Sequence, residues 1–207
     1  RARPFDKDRS GLLVGEGAGA LVLESARHAE ARGATLLAEV GGYGLACDAH
    51  HITRPEPSGA GSARAMRDAI RSSGIKPRDV TFINAHGTAT PTNDPVETRV
   101  VRDIFGDYRV PLTSLKGAIG HCMGAASAIE AVSCVLSIVH GVIPPTLNFE
   151  TLDPVCDVDV GTSATSREVD VVLNDSLGFG GYDAVVQERG AGLHRAGKTV
   201  LVATPYM

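Results

Sequence analysis

Tryptophan is missing from this 207-residue sequence, aromatic residues make up only 4% of it, and cysteine occurs four times. Cys47, Cys122, Cys134 and Cys156 show none of the spacings of a zinc ligand set or a disulfide framework. Two of them fall in apolar surroundings, as reduced cysteines of a cytoplasmic protein do. Positive charge is not in excess. The formal net charge is -4, which argues against a nucleic-acid partner. No uninterrupted apolar run suggests a membrane span, and the opening residues show no signal or transit pattern. Glycine, by contrast, occurs 24 times, and 43% hydrophobic with 21% charged residues fits an ordinary globular domain whose strands end in tight turns.

The chain opens at 1–9 with a polar, charged stretch without period, read as a loop. Apolar, β-branched runs predict strands over 20–24, 36–45, 80–83, 110–114, 169–174 and 184–188. Helical periods predict helices over 25–32, closed by Gly33, 61–73, closed by Gly74, 95–105 and 122–140. The last of these is apolar nearly all round, with Ile129, Val132, Leu136 and Val139 on one face, so it belongs inside. A long proline-containing connection covers 141–161. From residue 36 onward the order is β-α-β-α-β-α-β-β, which predicts an α/β fold with a mostly parallel sheet covered by helices. Residues 1–37 read as the end of a preceding unit, 38–190 as a complete one, and 191–207 as a tail whose weak apolar run, 199–203, has no assigned place.

Three strand ends carry polar residues that would meet on one edge of such a sheet, where open α/β folds bind ligands. The strand at 80–83 runs into Asn84-Ala85-His86-Gly87-Thr88-Ala89-Thr90. A helix start follows, with Asp94 as cap, Pro95 at the first helical position and Glu97 reaching back. The strand at 110–114 runs into Lys116, with His121 five residues on, before the long helix. The strand at 169–174 runs into Gly178-Phe179-Gly180-Gly181. A histidine at a helix N-terminus sits in positive potential, which disfavours the imidazolium. His121 is therefore expected to stay neutral and to offer an N–H, with His86 as a second donor. Two such donors on one carbonyl make an oxyanion site. Lys116 is expected to face the edge rather than the core, with Glu97 as its partner. Thr88 and Thr90 are placed to bond an amide-bearing substrate arm, and Phe179 to act as a flap.

Other clusters have simpler readings. Gly15-x-Gly17-x-Gly19 precedes a strand, whereas a phosphate loop follows one, so close packing of a β-ribbon is expected instead. Cys47, Asp48, His50 and His51 lack a second ligand pair at zinc-like spacing and read as a polar loop, so no metal is expected. Arg64, Arg67 and Arg71 share one helical face, either solvated or turned to an acidic partner.

The motifs 86–90, 116–121 and 178–181 resemble, in order and spacing, those of the later part of β-ketoacyl-acyl carrier protein synthases. Arg3-Pro4-Phe5-Asp6 and Gly15-Glu16-Gly17-Ala18-Gly19 resemble the same family just before its midpoint. The resemblance runs from Arg3 to Arg189. It implies the thiolase-like fold of two similar βαβαβαββ halves, of which this chain holds the end of the first and all of the second, as a dimer. It also implies decarboxylative Claisen condensation with malonyl-acyl carrier protein. His86 and His121 would stabilise the enolate oxygen while Lys116 and Glu97 organise the site. Thr88 and Thr90 would touch the phosphopantetheine arm, and Gly178, Phe179, Gly180 and Gly181 would border the acyl pocket. No resident cofactor is implied, only the carrier's phosphopantetheine. The partners implied are acyl carrier protein and the N-terminal ketosynthase half.

The family's nucleophilic cysteine has no counterpart here, and Cys122 reads as packing. Tyr182-Asp183 and Leu177 stand where the family commonly has a small polar residue with Asn, and Phe. A non-catalytic partner subunit resembling a chain length factor is the alternative. A coenzyme A thiolase relative fits less well, because two histidines with Lys116 suit a decarboxylating extender.

Overall fold

The computed structural model of the chain describes residues 1–190 and the backbone of 199–202. Its elements are β1 (Val22–Ser25), α1 (Ala26–Ala31), β2 (Leu36–Cys47), α2 (Ala60–Ser73), β3 (Phe82–Asn84), α3 (Asn93–Phe105), β4 (Pro111–Thr113), α4 (Lys116–Ile119), α5 (Ala126–His140), β5 (Val142–Ile143), β6 (Asp159–Val160), β7 (Thr165–Ser166), β8 (Val171–Gly178), β9 (Tyr182–Gly190) and β10 (Thr199–Val202). Eight strands form one sheet in the order β1-β10-β2-β9-β8-β3-β4-β6. The main alternation agrees with the sequence; α4 and the short strands β5, β6 and β7 were not foreseen. The run at 199–202 takes a place between β1 and β2. The rest of the 191–207 tail lies outside the described residues.

The sheet is mixed rather than mostly parallel. Strands β8, β3, β4 and β6 run parallel. Strands β8 and β9 form a hairpin through Gly180 and Gly181, both at positive φ, and β9, β2, β10 and β1 continue antiparallel. Crossover helices impose parallel pairing on their strands, whereas a tight turn reverses the chain. In the parallel centre, Asn84 is level with Thr113 on one side and Asn174 on the other. The Asn84 amide donates to Asn174 Oδ1 at 2.9 Å. The chain therefore leaves β3 and β4 at one level, into 86 and 114–116, while β8 continues past that level through 175.

Glycines in β2 admit a helix against the strand. A Cβ on Gly44 would lie 1.9 Å from the Ala65 carbonyl oxygen of α2. Gly44→Ala should therefore destabilise the protein by about 1–3 kcal/mol or more through overpacking. Urea unfolding is the measurement, and an unchanged midpoint would show that α2 does not press on β2. On the outer face of α2, Arg67 pairs with Asp103 and Arg71 with Asp68, so the basic stripe is a solvated face.

Three local expectations are corrected. The opening stretch is a loop, as read, but not a wholly polar one. Phe5 is fully buried in the main core beside Met66, Ile83 and Leu112, and Asp6 accepts the N–H groups of Glu150 and Thr151. Asp94 is not the cap of α3. It is buried one residue inside the helix and accepts the Phe5 N–H at 2.8 Å, while Thr90 Oγ1 accepts from Asn93 N. The glycine run at 15–19 forms no ribbon but lies against the 119–129 segment. A Cβ on Gly15 would meet Ile119 O at 2.0 Å, and one on Gly19 the Ala128 carbonyl carbon at 2.9 Å.

The 123–140 stretch is long and apolar enough to cross a membrane by length and composition. In this fold α5 packs on β8, β2 and β9. Its buried face carries Glu130, Ala131, Cys134 and Ser137, while Leu136 and Val139 stand exposed. The apolar stripe read from the sequence is thus largely the outer face, because the lone carboxylate of the helix has to reach inward.

Candidate functional site

A cavity of about 460 Å³ opens at the strand ends. His86, Thr88 and Thr90 line one side with His121. Gly178, Phe179 and Gly181 line the other with Leu177 and Tyr182. Gly180 is part of the same turn but off the wall, and its N–H is held by Ile52 O at 2.8 Å. Phe179 is 59% exposed on that wall. Lys116 and Glu97 do not reach the cavity. Both are buried behind the histidines.

The two histidines meet edge to face, with ring centroids 5.3 Å apart. The Met123 N–H donates to His121 Nδ1 at 3.1 Å, and Lys116 Nζ lies 3.5 Å from His86 Nδ1. With Nδ1 serving as acceptor in each ring, the proton of the neutral imidazole sits on Nε2. Both rings are held neutral. Burial depresses the His86 pKa well below its ordinary value, and the Lys116 charge adds to it. Burial and then Lys116 bring His121 down to about 4. The sequence assigned that effect to a helix N-terminus. Here a 3₁₀ turn, Met123–Ala125, separates His121 from α5, and the physical causes are burial and the lysine.

Lys116 also departs from expectation. Its side chain is 1% exposed, and its Nζ is 2.5 Å from Glu130 Oε1 on α5. Glu97 is not its partner. Glu97 Oε1 accepts the His86 N–H at 2.6 Å and Oε2 accepts the Gly87 N–H at 2.8 Å, so it clamps the backbone of the histidine loop. Glu130 was missed in the sequence, although a signal existed: it is the one Asp, Glu, Lys or Arg between 122 and 140. A lone carboxylate in an apolar helix calls for a buried cation. Asp175 was missed as a buried carboxyl, because a strand pattern does not reveal which polar residue of 174–176 turns inward; Asp183, read only as a departure from the family pattern, is buried as well.

Thr88 and Thr90 hydroxyls are 2.9 Å apart on the cavity wall. Cys122 is buried and absent from the wall. Its sulfur lies toward the glycine run, 3.3 Å from where a Gly15 Cβ would be. The 47–51 cluster builds a loop: Asp48 accepts from Glu56 N and His51 Nδ1 from Thr53 N. Among the described residues no set of His, Cys, Asp and Glu side chains could hold a metal ion.

Two neutral N–H donors, braced from behind by a buried ion pair and open to a cavity in front, suit an oxygen that gains negative charge. Residues 37–150 match the family described as Beta-ketoacyl synthase, C-terminal domain. Over 188 residues the chain is 46% identical to 3-oxoacyl-(acyl-carrier-protein) synthase 2 of Synechocystis, covering 89% of this chain and 45% of that protein. Nodulation protein E of Rhizobium meliloti is 47% identical over 187 residues, 89% of this chain and 46% of that one. The fold of the ishigamide ketosynthase/chain length factor superposes with a TM-score of 0.88 at 47% identity, covering 91% of this chain and 47% of that chain. A β-ketoacyl synthase from Burkholderia phymatum superposes with a TM-score of 0.84 at 34% identity, over 92% and 46% of the two chains. The chain therefore spans about half the length of the relatives it matches. With 114 of its 207 residues in the family match (37 to 150), the chain belongs to the β-ketoacyl synthases, as their C-terminal, thiolase-like part.

Proposed function

We propose that this chain supplies the oxyanion side of a decarboxylative Claisen condensation in fatty acid or polyketide synthesis. The observation that carries this reading is the pair of neutral histidines, 86 and 121, whose ring centroids lie 5.3 Å apart on one cavity wall. A malonyl thioester placed there has its thioester oxygen within reach of both Nε2–H groups. When its carboxylate leaves as carbon dioxide, the electron pair of the broken carbon–carbon bond passes into the thioester as an enolate. The histidines stabilise that oxygen, and the enolate carbon attacks an acyl thioester to form the new bond. Thr88 and Thr90 bond the amides of the phosphopantetheine arm, and Phe179 covers the acyl pocket.

The acyl group needs a thiolate, which this chain does not provide; it comes from the N-terminal ketosynthase half. The exposed apolar residues Leu136, Val139 and Leu23 fit a surface covered by that half or by a second subunit. Acyl carrier protein is the delivering partner, the compartment is cytoplasmic, and no resident cofactor is required. Residues 38–190 form the C-terminal half in this reading, and 1–37 the end of the other. A non-catalytic partner subunit is the weaker reading, since shaping a pocket requires neither two neutral donors nor a buried lysine behind them.

The test is incubation of the complete protein with malonyl-acyl carrier protein. Conversion of the carrier to its acetyl form, read by intact mass, is expected; an unchanged carrier would remove the reading. A second expectation concerns Cys122. With its sulfur packed toward 15–17 and off the cavity wall, it should take no acyl group from an acyl thioester. A stoichiometric adduct lost in Cys122→Ala would make this chain self-sufficient and overturn the division of labour.

A further inference from the structure

Glu97 holds three N–H groups in a fully buried place: those of His86 and Gly87, and the Asn93 side chain at 3.1 Å. Beside it lies Asp175 of β8, also fully buried. Among the described residues no N–H and no hydroxyl reaches either Asp175 oxygen. After burial, the Glu97 carboxyl is the group that acts on it most strongly. Two buried carboxylates cannot both stay ionised in contact, because their repulsion adds to the cost of desolvation. One proton has to sit between them. Glu97, with three donors already on its oxygens, is the member stabilised as the anion; Asp175, with none, is the member that keeps the proton.

We infer that Asp175 is a positioning residue, whose carboxyl O–H donates to Glu97 and thereby keeps Glu97 clamped on the backbone N–H groups of His86 and Gly87. The surroundings agree. The charged groups facing Asp175 are Glu97 on α3, Asp183 on β9 and Lys116 on α4, two negative and one positive. Burial, followed by the charge of Glu97, pushes the Asp175 carboxyl well above the usual range, and Lys116 opposes the shift. Burial likewise raises Glu97, to about 7, with Asp94 adding to it. The pair titrates as a unit. Loss of its proton would set two anions against each other and pull Glu97 off the loop that aims His86. The consequence for catalysis rests on the ketosynthase reading; the acid pair does not.

The experiment uses nuclear magnetic resonance on the intact protein and needs no turnover, so an inactive protein would count against the ketosynthase reading alone. With carbon-13 in the aspartate carboxyls, the resonance that disappears in Asp175→Asn should stand at the protonated position at pH 7. Hydrogen exchange at the His86 and Gly87 amides should speed up about tenfold or more in Asp175→Ala, the effect of losing one charge-assisted hydrogen bond. Asp175→Asn keeps an N–H donor toward Glu97 and should restore the protection. A carboxylate resonance for Asp175 at pH 7 would overturn the inference. So would equal exchange at these amides in the alanine and asparagine variants. If Asp175→Ala does not fold, the carboxyl resonance of the unsubstituted protein still decides.

Discussion

In the complete enzyme, His86→Ala or His121→Ala should slow malonyl decarboxylation by about 10²–10³, the usual effect of losing one oxyanion donor. Acyl transfer onto the nucleophile should suffer less, because it does not pass through the malonyl enolate. The two assays on the same carrier protein separate these steps, and decarboxylation at the unsubstituted rate in either variant would refute the donor assignment. The pH dependence follows from the same burial. An ordinary histidine gains its proton near 6.5, whereas His121 does so only at about 4 and His86 well below its ordinary value. Both donors therefore remain neutral through pH 6, and no inflection near 6.5 should arise from them in decarboxylation. Stability behaves differently. The unfolded chain takes up protons on these histidines as pH falls below 6.5, while the folded chain does not. Their contribution to stability is thus intact above 6.5 and is lost as pH falls toward the folded values.

Lys116→Ala should cost stability as well as activity, opposite to what its place at a strand end suggests. The ammonium and the Glu130 carboxylate are 2.5 Å apart with both side chains almost wholly buried. Removing one member of a buried pair leaves an uncompensated charge, at about 3–5 kcal/mol. Glu130, whose carboxyl burial already pushes upward, would protonate in the variant and recover part of this. The same substitution removes the donor to His86 Nδ1, so its ring is no longer tied to the Nε2–H tautomer. Urea unfolding of Lys116→Ala, Glu130→Ala and the double variant Lys116→Met with Glu130→Leu is the measurement. The single variants should be strongly destabilised, and the double variant less than their sum. Unchanged midpoints in the singles would show that the pair is not buried as described. Activity should be lost in Lys116→Ala and in the double variant, since neither keeps an ammonium beside His86 Nδ1.

Much of this architecture was legible in the order of residues because the signals involved are local. Gly74 ends α2 in the left-handed conformation where the sequence closes that helix, and Gly178 to Gly181 turn β8 into β9. His86, Lys116 and His121 follow strand ends, and a strand end is visible from a few neighbouring residues. Their assembly on one edge followed from the alternation of strands and helices alone. Direction was not legible in the same way. The antiparallel placement of β9 on β2 joins residues as distant as Ala38 and Gly190, and no local pattern encodes it.

The partners within the site were decided by the tertiary structure. Periodicity showed Glu97 one turn into a helix and offered it to Lys116, but α3 turns that carboxylate to the backbone of 86 and 87. The helix that supplies the lysine's counter-ion presents Glu130 inward and Leu136 outward, against the order that hydrophobicity alone would choose. Phe5 joins the core and its N–H binds Asp94 across 89 residues of chain, although the stretch around it is rich in charge. Asp175 follows Asn174, which β8 sets level with Asn84 of β3 across 90 residues of chain, a pairing no local pattern announces. What the sequence by itself determined was which elements form and which polar residues stand at their ends, since both depend on neighbours along the chain. Which carboxylate meets which cation, and which must keep its proton, depended on how helix faces turn toward the sheet. That rotation is set by close packing of the whole core, where glycines 15, 19 and 44 admit contacts that a single Cβ would prevent.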